Sequence, residues 1–119
     1  MENINLNISQ ADSEFIQLGN IQGAQIISST NIISAKSYKN YTTFQLRNFN
    51  SVTISKTLKY FENMLPKDKF FRCHRSYIVN LDDVEGIIKD KGDSLKLSDG
   101  TTVPLSRQKK KLFRELFVL

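Results

Sequence analysis

Between residues 15 and 105 the chain is cut into apolar or alternating runs only three to six residues long, each bounded by turn-forming residues. This spacing constrains the fold more than any other feature. The runs at 15–18, 24–28, 32–35, 41–46, 52–54, 70–73, 77–79 and 84–88 have the length and residue types of β-strands, and their even spacing predicts a mostly antiparallel sheet system. Asn48, Phe49, Asn50 and Ser51 join two of the runs through turn-tolerant residues, predicting a hairpin of 41–47 with 52–55. Asp99-Gly100 lies between alternating runs at 94–98 and 101–105 and predicts a second hairpin with a two-residue turn. Pro104 lacks an N–H for a ladder, so its strand is expected at a sheet edge.

Two segments instead carry helical spacing. One runs from 56 to 65, with Ser55 as N-cap, Leu58, Phe61 and Met64 or Leu65 on one face, and Pro66 as the stop. The other runs from 107 to 117 with Ser106 as cap. Leu112, Phe113, Leu116 and Phe117 are its expected core face, and Lys109, Lys110 and Arg114 its outer face.

The 119 residues suffice for one domain, expected over 15–119 behind a polar, Asn-rich, flexible lead at 1–14. No apolar run approaches the roughly 18 residues of a spanning helix, and the N-terminus lacks a signal-peptide pattern, so a soluble, cytoplasmic protein without membrane association is expected. One cysteine, Cys73, excludes an internal disulfide framework and a multi-cysteine zinc site, and one histidine, His74, excludes a His-rich cluster. No metal or cofactor is implied.

The formal charge is +5 and unevenly placed: residues 66–119 carry 12 basic and eight acidic groups. Residues 107–114 hold five cations and no acid, a local field suited to a polyanion, with a solvated helix face as the plainer reading. An enzyme is not expected. No phosphate-cradling glycine loop is present. Cys73 and His74 would face opposite sides of a strand, and the Asp82, Asp83 and Glu85 cluster has no opposed acid–base partner.

The segment 70–81, FFRCHRSYIVNL, holds a polar break between two strand runs. Phe71, Tyr77 and Val79 are expected inward, with Arg72, His74, Arg75 and Ser76 at the break. Arg75 suits bidentate reading of guanine, and Ser76 with nearby amides suits phosphate. Surface ion pairs of Arg72 and Arg75 with Asp82, Asp83 or Glu85 are the competing reading. Cys73 is expected as a small buried hydrophobe, and Asn80 as a cap on the turn after its strand.

The run FFRCHRSYIVNLDDVEGI, followed by the Asp-Gly hairpin and VPLSRQKKK, resembles the LytTR family of bacterial DNA-binding domains. Ile32-Ile33-Ser34-Ala35 and Lys39-Asn40-Tyr41-Thr42 look like that family's preceding strand and N-Y-T element, so the resemblance covers about residues 15–117. It implies an elongated arrangement of small antiparallel sheets with a few short helices. It also implies a transcriptional regulator that inserts loops, rather than a recognition helix, into successive major grooves of promoter DNA. Carried onto this chain, the resemblance makes Asn40, Arg75 and Arg107 the base-contact candidates. Lys36, Lys39, Ser76, Gln108, Lys109 and Lys110 become phosphate contacts. His74 is left between a buried hydrogen-bonding role and a phosphate contact, while Tyr41 and Tyr77 are expected to fill the core.

Many members are response regulators with a receiver domain ahead of the DNA-binding one. A chain of 119 residues has no room for it, so the chain is read as stand-alone or as a fragment of a longer regulator, with stand-alone expected, acting as two protomers on neighbouring half-sites of double-stranded DNA. The alternatives are a module binding an acidic protein partner through the basic C-terminal helix face, and a single-stranded RNA binder using aromatic stacking.

Overall fold

The computed structural model describes residues 15–20 and 23–117. The segment 1–14, expected as a lead, lies outside the described residues. In chain order the elements are β1 (Phe15–Asn20), β2 (Gly23–Ser28), β3 (Ile32–Tyr38), β4 (Tyr41–Leu46), β5 (Ser51–Ile54), α1 (Leu58–Met64), β6 (Phe70–His74), β7 (Tyr77–Asn80), β8 (Val84–Lys89), β9 (Asp93–Leu97), β10 (Thr102–Leu105) and α2 (Arg107–Phe117). The strands form three antiparallel sheets: β1-β2, β5-β4-β3-β7-β6 and β10-β9-β8. Overall extents of 48 × 27 × 24 Å make the molecule elongated. The mostly β reading and the edge position of Pro104 on β10 both hold.

The five-stranded sheet is apolar on both faces because its strands alternate between two cores. Ile32, Ala35, Phe44, Phe70 and Ile78 pack under α1, where Phe44 and Phe61 meet edge to face at 4.7 Å. Ile33, Phe71, Cys73 and Val79 point the other way, against Leu95, Leu97, Val103 and Leu105 of the three-stranded sheet and Phe113 of α2. The order is therefore α1, five-stranded sheet, then three-stranded sheet with α2.

Four local expectations are corrected. Helix α1 starts at Leu58 and is capped by Thr57, whose side chain accepts from the Tyr60 N–H, rather than by Ser55. The Thr42 hydroxyl donates to the Lys56 carbonyl at 2.8 Å, tying Lys56 to β4 ahead of the helix. The β9–β10 turn has three residues, not two. Leu97 and Thr101 flank it, the Gly100 N–H returns to the Leu97 carbonyl, and Gly100 takes φ 88°, the left-handed position that glycine adopts freely. The Asp99 carboxylate accepts from both the amide and the hydroxyl of Thr101, which favours the wider loop.

Tyr41 is 47% exposed rather than in the core. It pairs with Tyr38 at the tip of the β3–β4 hairpin, beyond the last residues that β5 and β7 pair with, so nothing covers it. Tyr77 is half-buried against the second core, as its inward assignment requires.

In α2 only Phe113 is buried, while Leu112, Leu116 and Phe117 are 45%, 48% and 39% exposed. Lys109, Lys110 and Arg114 are half-buried beside Phe113 instead of forming an outer face. Their long apolar stems cover the sheet while the charged ends reach out. Lys109 Nζ stands 5.9 Å from the centroid of the Phe71 ring, and Lys110 Nζ lies 3.1 Å from Asp93 on β9.

Candidate nucleic-acid interface

The hairpin β3–β4 closes through Lys39-Asn40, a two-residue turn between the paired Tyr38 and Tyr41. Lys39 takes φ 55°, in the left-handed region that many two-residue hairpin turns use. Lys39 and Asn40 are both exposed at the tip. Lys39 Nζ sits 5.4 Å from the Tyr38 ring centroid.

The hairpin β6–β7 closes likewise through Arg75-Ser76, between the paired His74 and Tyr77. The Ser76 N–H donates to His74 Nδ1 at 3.1 Å, so the imidazole is used inside the turn. Its ring is half-buried, edge to face with Tyr77 at 5.9 Å. Of the two roles left open for His74, the hydrogen-bonding one is present.

Arg75 is exposed, and its guanidinium has no hydrogen-bond or ion-pair partner among the described residues. The competing ion pairs do not form: Asp83 is taken by Arg47, Asp82 lies 3.8 Å from Lys69, and Arg72 pairs with Glu62. Asn80 caps as expected, accepting from the Asp82 N–H while its amide donates to the Ile32 carbonyl.

Two backbone bonds bring the third element alongside. The Ser37 N–H donates to the Ser76 carbonyl at 2.9 Å, joining β3 to the Arg75 turn. The Ser106 N–H donates to the Cys73 carbonyl at 2.9 Å, fixing the start of α2 on β6. Asn40, Arg75 and Arg107 therefore stand at the same end of the sheets. Arg107 and Gln108 are exposed in the first turn of α2, which contains no acid. Cations there oppose the helix dipole, a local cost, while the free N–H groups of the same turn favour an anion.

A cleft of about 320 Å³ runs between Arg75 and α2, lined by Glu62, Arg72, His74, Arg75, Ser106, Gln108 and Lys109. Lys36 is exposed beside it, 5.8 Å from the Tyr77 ring centroid. Lys110 is directed to Asp93 rather than into this cleft. Among the described residues there is no group of three or more His, Cys, Asp or Glu that could hold a metal ion, and no helix long and apolar enough to cross a membrane.

Cys73 lies under the interface and is fully buried. Burial pushes its thiol from the ordinary 9.0 up to about 12. It should resist a thiol-specific alkylating reagent in the folded protein near neutral pH and react in urea, and equal rates in both states would refute its inert role. The raised value also gives a sign for stability. The Cys73 contribution is intact below pH 9.0 and is lost as pH rises toward about 12, because only the unfolded thiol ionises readily in that window.

Sheets that present two tight turns and a cationic helix start at one end, with an Arg75 guanidinium that has no partner among the described residues, have the geometry of a β-rich nucleic-acid-binding domain. The family model described as the LytTr DNA-binding domain matches residues 23–118, and the chain belongs to that family, a non-enzymatic regulator fold. The solved LytTr DNA-binding domain of a Bacillus cereus protein described as a methyl-accepting/DNA response regulator superposes with a TM-score of 0.77 at 28% identity. The match covers 90% of this chain and 99% of that one.

Sensory transduction protein LytT of Bacillus subtilis is 35% identical over 68 residues, 56% of this chain and 28% of that protein. Transcriptional regulatory protein YpdB of Escherichia coli K12 is 44% identical over 62 residues, 50% of this chain and 25% of that protein. The chain thus spans about a quarter of the length of these relatives.

The sequence did not single out Glu62, which lies in the cleft, or the pairing of Glu62 with Arg72. They are ten residues apart across a helix end, a proline and a strand, so no periodic pattern connects them.

Proposed function

We propose that this domain binds double-stranded DNA sequence-specifically by inserting its turns into successive major grooves, with Asn40, Arg75 and Arg107 on base edges. In this reading Lys36, Lys39, Ser76, Gln108 and Lys109 hold phosphates, and Lys110 joins them by exchanging Asp93 for a phosphate. Two protomers occupy neighbouring half-sites. The observation that supports it most is the shared placement of the three elements through the Ser37–Ser76 and Ser106–Cys73 bonds, with Arg75 unpartnered among the described residues. Asn suits adenine and Arg suits guanine by donor and acceptor geometry, so both contact types are expected in one site. Binding of an acidic protein through the α2 lysines is less well supported, because Lys109 and Lys110 are half-buried against Phe71 and Asp93.

Selection on random duplexes with the purified chain tests this reading. A repeated, spaced motif is expected, and recovery of none would overturn it. Arg75→Ala and Arg107→Ala should each cost about 1–3 kcal/mol of affinity for the selected site and relax one base position. Lys109→Ala should weaken all duplexes alike and lower the salt slope by about one, with a smaller effect for Lys110→Ala. If the arginine and lysine variants act identically, the division between base and phosphate contacts is wrong.

A further inference from the structure

We propose that Arg72 and Glu62 are a positioning pair for Arg75, holding the turn that carries it and so setting preference at the base Arg75 reads. This rests on the duplex-reading function proposed above. Arg72 lies on β6, and its side chain is 21% exposed. Its Nη1 donates to Glu62 Oε1 at 2.8 Å, and its Nη2 donates to the carbonyl oxygen of Arg75. The guanidinium is a rigid planar fork, so anchoring one arm on α1 fixes the direction from which the other meets the turn. Helix α1 is itself seated by Leu58 and Phe61, both buried in the first core. The reading turn is thereby tied through Arg72 and Glu62 to the side of the sheet opposite α2.

The local ladder shows why such a tie matters. The β6–β7 register shifts between Phe71 and His74, so the His74–Tyr77 pair that closes the turn is separated from the next regular pair, Phe71–Val79. An irregularity of this kind bends and twists a strand, and the turn beyond it needs another restraint to keep one orientation. The Ser76 N–H to His74 bond restrains one side of the turn, and the Arg72 bond to the Arg75 carbonyl restrains the other. Among the described residues the Arg75 side chain has no bonding partner, and the backbone of the turn sets the direction from which it starts.

Charge provides a second argument. Glu62 lines the same cleft as His74, Arg75 and Lys109, where a carboxylate repels a polyanion. A positioning role accounts for an acid in that place. It also separates two effects: Glu62→Gln removes the repulsion and weakens the tie, whereas Arg72→Lys keeps the charge and loses the fork.

The test begins with the site selected by the unaltered protein. Competition binding on single-base variants of that site is then measured for the unaltered chain, Arg75→Ala, Arg72→Lys and Glu62→Gln, each with a thermal unfolding curve. Arg75→Ala should lose about tenfold or more of discrimination at one base position. Arg72→Lys and Glu62→Gln should lose about threefold to tenfold at that same position and leave the positions sensitive to Asn40 and Arg107 variants unchanged. Glu62→Gln should bind unrelated duplex at least as tightly as the unaltered chain.

Uniform weakening on every duplex with discrimination intact would overturn the proposal, since that is what a purely structural pair produces. Uniform tightening by Glu62→Gln with discrimination intact would do the same, in favour of a simple field effect. If Arg72→Lys does not fold, Glu62→Gln, at a half-exposed helix position, decides alone. Absence of any motif for the unaltered chain is a different result: it overturns duplex reading itself, and the positioning role with it.

Discussion

Replacing Phe113 with alanine is expected to cost about 3–5 kcal/mol in urea-induced unfolding. Phe113 is 2% exposed and is the only fully buried side chain of α2. It packs at 5.8 Å between ring centroids on Phe71, within the core that includes Leu95, Leu97, Val103 and Leu105. Lys109 and Lys110 cover the sheet with aliphatic stems, yet neither replaces a ring in a close-packed interior. Small domains hold about 5–15 kcal/mol in total, so this loss takes a large share. The same change should loosen the helix start that carries Arg107. Phe113→Leu, which keeps most of the volume, should lose clearly less. A loss below about 1 kcal/mol for the alanine variant would mean that α2 is held by its lysine contacts instead.

Arg47→Ala is expected to cost about 2–3 kcal/mol. Asp83 is buried at 3% side-chain exposure and accepts from both terminal nitrogens of Arg47, one of them at 2.7 Å, and from the Ser98 hydroxyl at 2.6 Å. The Arg47 Nε donates to the Thr30 carbonyl at 2.7 Å, completing a fully used fork. The hydrogen bond to Asp83 raises the Arg47 pKa above its ordinary value. Removing one partner of a buried pair strands a charge, at about 3–5 kcal/mol when both are enclosed. Arg47 is 41% exposed, so solvent screening reduces the figure.

Adding Asp83→Asn to Arg47→Ala should recover part of the loss, because the stranded charge is gone; a simple addition of the two losses would contradict this account. Arg47 follows β4, Asp83 precedes β8, and Ser98 follows β9, so the network joins the two larger sheets at the end away from the Arg75 turn. Unfolding should move strongly while base preference of the folded protein stays the same.

The two arginine sites show why residue type alone was insufficient. Arg47 follows β4, Arg72 lies in the middle of β6 and Arg75 follows it, and the acids at 82, 83 and 85 were equally available to Arg72 and Arg75 by spacing. Only the packed chain assigns Asp83 to Arg47 and Glu62 to Arg72, so that neither acid pairs with Arg75. In α2 the apolar spacing was real, but the helix seats on Phe113 with Lys109 and Lys110 beside it. A strip of Leu and Phe marks which residues favour burial; the surface available to receive the helix determines which of them obtain it.

Local chemistry determined the parts of this protein that depend on a few neighbouring residues: short antiparallel strands, the polar break between the strands that flank Arg75 and Ser76, the stop at Pro66, the edge position of Pro104 and the Asn80 cap. Each follows from backbone geometry, side-chain alternation or a hydrogen bond within a few positions. Tertiary structure alone decided that the turns of β3–β4 and β6–β7 and the start of α2 share one end of the sheets. It also decided that Tyr41 stays exposed, that Glu62 reaches the cleft and that Asp83 clamps two sheets. Those outcomes depend on registers and contacts between residues as far apart in the chain as Ser34 and Val79, whose energies are set by which surfaces meet.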